Sequence, residues 1–134
     1  MSRTALLASL LALSCLTAFR NPPGALRYGE MADKYASEGK NEQALANYSE
    51  AIGLEPDNPV HYTSRGFFLL KLKRFDAALQ DFSARIRLEP GNPGGYLTRG
   101  LVYSDLKRDK EADADFNEAC RLGSRDGCSF AGDR

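Results

Sequence analysis

The sequence predicts an all-α fold in which three helical hairpins stack as a solenoid, and three observations carry that reading. First, the chain overlays itself when shifted by the step that separates Tyr28 from Tyr62: Tyr28, Tyr62 and Tyr96 coincide, as do Ala44, Ala78 and Ala112, Tyr48, Phe82 and Phe116, and Leu54, Leu88 and Leu122. Second, the apolar spacing inside a unit is helical. Tyr62, Gly66, Leu69 and Leu70 share one face of a first helix, and Ala78, Leu79, Phe82 and Ile86 share one face of a second. Third, Glu55-Pro56-Asp57-Asn58-Pro59 is echoed by Glu89-Pro90-Gly91-Asn92-Pro93, clusters in which Asn caps and Pro opens the next helix.

Composition bounds the function. A chain of 134 residues favours one domain and leaves no room for a separate cofactor lobe. Eighteen basic residues balance eighteen acidic ones, so no basic field attracts nucleic acid. With 43% hydrophobic and 27% charged residues the chain reads as a folded globular body. A single His removes the commonest acid/base and zinc-ligand residue, which leans away from an enzyme, a metal or another cofactor.

Taken in chain order, residues 1 to 19 form a leader. Arg3 precedes an uncharged run from Ala5 to Phe19, which is shorter than the roughly 20 apolar residues of a spanning helix and reads as a secretory segment. Within it, Ala12-Leu13-Ser14-Cys15 resembles the lipobox of bacterial lipoproteins, with Ala12 where that family usually has Leu; the resemblance implies lipidation of Cys15. Cleavage after Ala18 and retention as a membrane-proximal anchor are the alternatives. Export to a bacterial periplasm or envelope membrane is the expected localisation. Residues 20 to 24 are a linker, since Asn21-Pro22-Pro23-Gly24 excludes helix.

The folded part begins near Ala25 and runs as three units, 25 to 58, 59 to 92 and 93 to 126, with 127 to 134 as a short C-terminal tail. The first unit carries Tyr28, Met31, Ala32, Tyr35, Ala44, Tyr48, Ala51 and Pro56; the second Tyr62, Gly66, Leu69, Ala78, Phe82 and Pro90; the third Tyr96, Gly100, Tyr103, Ala112, Phe116 and Ala119. These positions and their period resemble the tetratricopeptide repeat. The resemblance implies a right-handed superhelical solenoid. Small residues such as Ala32, Gly66 and Gly100 let paired helices approach, and the rings at 48, 82 and 116 fill the joint between hairpins. Arg65 and Arg99 replace the usual Leu, and Arg85 a small residue. Their stems are expected to pack, with the charged heads in water or beside Asp and Glu. Ser124 replaces the closing Pro, so the stack ends differently.

The segment from Ala119 to Cys128 further resembles cysteine-bearing relatives of this repeat, in which a Cys late in a second helix bonds one starting the next. That resemblance implies a Cys120–Cys128 disulfide pinning Phe130 onto the last hairpin; two free thiols in a reducing compartment is the alternative. Other chemistry is sparse. His61 has no Cys or Ser at a catalytic spacing and reads as a surface histidine, Pro93-Gly94-Gly95 as a turn, and the charged stretch from Asp105 to Asp115 as a solvated face. No catalytic or metal-ligating residue is assigned.

By the resemblance, first helices line a concave groove that holds a peptide or partner helix, through Asp33, Thr63, Phe67, Leu70, Leu97, Leu101, Ser104 and Asp105. Phe67, Leu70 and Leu101 form an apolar anchor strip. Certain family members grip a terminal carboxylate with Lys, Asn and Arg. Here the corresponding residues are Gly29, Asp33, Thr63, Phe67, Gly94 and Thr98, so that specificity is absent. The expected function is a non-enzymatic adaptor, exported and held to a membrane through its leader or a lipid. Burial of the strip under the linker or in a homodimer, and a self-assembly module using its uncapped last unit, are the alternatives.

Overall fold

A computed structural model describes residues 24–132. The leader expectations, including the one for Cys15, and nearly all of the linker lie outside the described residues. Among the described residues seven helices follow one another: α1 (Ala25–Ser37), α2 (Asn41–Leu54), α3 (Pro59–Lys71), α4 (Phe75–Leu88), α5 (Pro93–Asp105), α6 (Asp109–Arg121) and α7 (Arg125–Gly132). No strand occurs among the described residues. The fold is therefore an all-α solenoid in which α1 packs on α2, α3 on α4 and α5 on α6, and α7 closes the end.

Local chemistry sets each boundary. The side chain of Asn58 accepts from the Val60 N–H at 3.1 Å and that of Asn92 from the Gly94 N–H at 3.0 Å, each just ahead of a proline in the first helical turn. Inside each hairpin the first helix ends in a left-handed residue: Gly39, Lys73 and Lys107, at φ 73°, 58° and 59°. The chain then turns back on itself in the same way each time. Lys40 N–H donates to Tyr35 C=O, Arg74 to Leu69 and Arg108 to Tyr103, all at 2.9 Å.

The core is shared between units. Ala44, Ala78 and Ala112 are fully buried, and so are Phe82 and Phe116. A Cβ on Gly66 would stand 3.0 Å from the Phe82 ring, and one on Gly100 2.8 Å from Phe116, so these small residues admit the second-helix ring against the first-helix backbone. Phe82 clusters with Leu69 of its own unit and Val102 of the next; Tyr48 meets Phe68 at 5.6 Å between ring centroids. A hairpin cut from the array would expose one side of this cluster, as the joint-filling role of the rings requires.

The arginines that break the pattern are partnered. Arg65 forks onto Asp81 (Nε–Oδ2 2.9 Å, Nη2–Oδ1 2.7 Å) and donates from Nη1 to Ser49 Oγ of the preceding unit at 2.9 Å. Arg99 repeats the arrangement one unit later with Asp115 (2.8 and 2.7 Å) and Ser83 (2.9 Å). Each arginine therefore joins two hairpins. Arg85 stands 4.0 Å from Glu89 with its side chain 19% exposed, the packed stem and acid-facing head expected of it.

The C-terminus departs from the expected tail. By period a fourth unit would open at residue 127, yet α7 begins at Arg125. Ser124, where Pro stands in the other units, explains the shift: Gly123 turns left-handed at φ 98°, and Ser124 Oγ accepts the Gly127 N–H at 3.1 Å as a helix cap. A short turn of the kind found inside the hairpins thus replaces the longer joint between units. Gly127 lies against Ala119, Phe130 stacks on Phe116 at 5.1 Å, and Cys120 and Cys128 are joined through their sulfurs with Cα atoms 4.5 Å apart.

Candidate functional site

Of the residues expected to line a groove, Asp33 falls on α1, while Thr63, Phe67 and Leu70 on α3 and Leu97, Leu101 and Ser104 with Asp105 on α5 follow one another at steps of three or four, which keeps them on one face of each helix. Two exposed apolar side chains mark it. Phe67 on α3 is 51% exposed and Leu101 on α5 41%, one period apart on successive first helices. The Phe67 ring stands edge-on to the buried Phe82 ring at 5.3 Å, a geometry that fixes its direction. Leu70 is half-buried against the Leu69–Phe82 cluster. Thr63 and Leu97 are half-buried, and the Thr63 hydroxyl donates to Pro59 C=O at 2.9 Å. Ser104 is half-buried, while Asp33 and Asp105 are exposed.

Two apolar residues escaped the sequence reading. Leu26 on α1 is 75% exposed and Val60 on α3 62%, and they stand one period apart at the start of successive first helices. Their equal spacing was the available signal. They extend the apolar face toward the helix N-termini, beside an open hollow lined by Val60, Thr63, Ser64, Arg85 and Glu89.

Polar chemistry enters this face at α1. Asp33 occupies the place that Phe67 and Leu101 hold in the later units, and its Oδ1 accepts a hydrogen bond from the Tyr48 hydroxyl. Burial pushes the Tyr48 phenol above its ordinary range, and the bond to Asp33 adds to that. Hydrogen bonds to Asp81 and Asp115 hold the Arg65 and Arg99 guanidinium groups above theirs, with burial opposing.

His61 requires a correction. Its side chain is 12% exposed, not on the surface, because it sits at the joint between units, where Nε2 lies 2.8 Å from Glu55 Oε2. Hydrogen bonds from Asn58 and His61 hold the exposed Glu55 carboxyl below the usual carboxylate range. This is a tie between hairpins. Among the described residues no group of three or more His, Cys, Asp or Glu side chains is placed to hold a metal ion, and no helix is long and apolar enough to cross a membrane.

Comparison with known proteins agrees with the geometry. A family model described as TPR repeat matches residues 32–73, and one described as tetratricopeptide repeat matches residues 93–122. No curated protein matches the chain. Among solved structures, the first TPR of Spaghetti (RPAP3) bound to the HSP90 peptide SRMEEVD is 27% identical, with a TM-score of 0.65 over 80% of this chain and 86% of that one. The Arabidopsis OM64 TPR domain is 28% identical, with a TM-score of 0.64 over 80% of this chain and 90% of that one. The second TPR of Spaghetti, at 24% identity and a TM-score of 0.63 over 79% and 98%, shares the fold. The constant period, the interlocking rings and both family models lead to one conclusion: the chain carries tetratricopeptide repeats.

Proposed function

We propose that this chain is a non-enzymatic adaptor that receives a protein segment, extended or helical, on the face formed by α1, α3 and α5, and that its leader exports it and keeps it at a bacterial envelope membrane. The observation that carries the binding reading is the exposure of Phe67 and Leu101, one unit apart, on helices whose other large side chains are mostly packed. The peptide held by the first TPR of Spaghetti supports it by likeness. The uncharged run from Ala5 to Phe19 supports the export reading.

Titration calorimetry of a peptide library against the full chain and against Phe67→Ala tests the face. Loss of a hot-spot ring should weaken binding by about 2 kcal/mol or more, some thirtyfold. Binding that the variant leaves unchanged would remove Phe67 from the site. Intact-mass spectrometry of the protein from the membrane and soluble fractions of its native host tests the leader: a mass lowered by cleavage, raised by acyl chains on Cys15, or unchanged but found with the membrane supports it, and the full unmodified mass in the cytoplasmic fraction contradicts it.

A further inference from the structure

The first-helix face changes character along the array. At one register position stand Asp33, Phe67 and Leu101, each one period from the last. The supporting second-helix residue changes in step for the first two: a Tyr48 hydroxyl donates to the Asp33 carboxylate, whereas the Phe82 ring supports the Phe67 ring. On the first helices themselves this face carries Glu30, Asp33 and Asp105 against Lys71, and all four are exposed; Arg85 and Glu89, which line the hollow beside Val60, stand 4.0 Å apart and offset one another. Apolar side chains at Phe67 and Leu101 are thus flanked by carboxylates on α1 and at the C-terminal end of α5.

Resting on the adaptor reading above, we infer that the occupant of this face is a segment with apolar residues over Phe67 and Leu101 and Lys or Arg side chains at its flanks, one of them meeting Asp33. Charge complementarity decides the sign. An acidic segment such as the SRMEEVD peptide of the Spaghetti structure would here bring carboxylates against Glu30, Asp33 and Asp105. A basic flank finds an acceptor that is already oriented, because the Tyr48 hydroxyl holds one Asp33 oxygen and leaves the carboxylate exposed. The apolar anchors give affinity and the carboxylates choose among partners.

A random peptide library displayed on phage, selected on the full-length chain, tests the inference. Lys and Arg should be enriched over Asp and Glu by roughly threefold to tenfold, the ratio expected of two or three partly exposed charge pairs. Apolar residues should be enriched alongside them. Selection on Asp33→Asn should lower the basic enrichment and keep the apolar one. That variant retains an oxygen for Tyr48, and an unchanged thermal midpoint will show it folded. Asp105→Asn is the second variant, at the other flank. Phe67→Ala should lose the apolar enrichment. Enrichment of acidic residues, or a basic bias that neither Asn variant alters, overturns the charge assignment while leaving the groove intact. No enrichment above an uncoated surface, with none lost in Phe67→Ala, overturns the groove itself.

Discussion

The first unit and the two behind it share a period but are fastened differently. In the second and third, an arginine forks onto an aspartate of its own hairpin and reaches a serine of the hairpin before it. In the first unit the corresponding residues are Met31 and Asn47, and Asn47 bonds within its own helix, to Gln43 C=O at 2.8 Å. Met31 is half-buried, and a methionine there avoids desolvating a charge. Polar pairing in unit one instead moves to the open face, as Tyr48 with Asp33.

The largest effect expected from this comparison is at Asp81. Asp81 is 3% exposed, and removing its carboxylate leaves a guanidinium that is only one-quarter exposed without its fork. Breaking a fully buried pair costs about 3–5 kcal/mol and a surface pair at most about 1 kcal/mol, so Asp81→Ala should lose roughly 2–3 kcal/mol. Asn47→Ala, its counterpart, should fall within about 0.5 kcal/mol of the parent. Urea unfolding followed by circular dichroism measures both. Arg65→Met combined with Asp81→Asn copies unit one into unit two, and should recover most of the loss, because apolar replacement of a buried pair is often neutral. Equal losses at Asp81 and Asn47 would show that the two units are not fastened differently after all.

What was legible follows the same division. Residues that recur once per unit in the apolar or turn pattern of a helix announce themselves: the alanines, the rings, the capping asparagines and the glycines under Phe82 and Phe116. The Arg65–Asp81 pair did not, since its members stand on different helices and no single-helix spacing links them. The signal was present all the same, in the recurrence of Arg65, Asp81 and Ser49 as Arg99, Asp115 and Ser83. His61 was misplaced on the surface because its burial comes from the end of the preceding helix, which local pattern does not see. Leu26 and Val60 were overlooked for the opposite reason: a large residue at a helix start looks like core until exposure is measured. At the end of the array, the loss of a proline at Ser124 was readable as a change of ending, but the start of α7 depended on a serine cap and a left-handed glycine acting together.

A smaller test uses the turns inside the hairpins. Gly39 turns the first hairpin at φ 73°, while Lys73 and Lys107 hold φ at 58° and 59° in the others, a conformation in which a side chain clashes with its own carbonyl. The three turns share two hydrogen bonds, from residues 39, 73 and 107 and from residues 40, 74 and 108, and the first adds Asn41 N–H to Gly39 C=O at 3.1 Å, so the backbone demand is similar and the turning residue is the main difference. Lys73→Gly relieves a strain of roughly 1–2 kcal/mol in the folded chain but adds freedom to the unfolded one, and the net gain should be about 0.5 kcal/mol. Gly39→Ala should run the other way and cost about 1 kcal/mol. That penalty is purely conformational, since nothing lies within 4 Å of the Gly39 Cβ position. Opposite shifts in the urea midpoint are expected. If Lys73→Gly destabilises, the exposed lysine is contributing more through its side chain than its left-handed backbone costs, and the turns of units one and two are not equivalent.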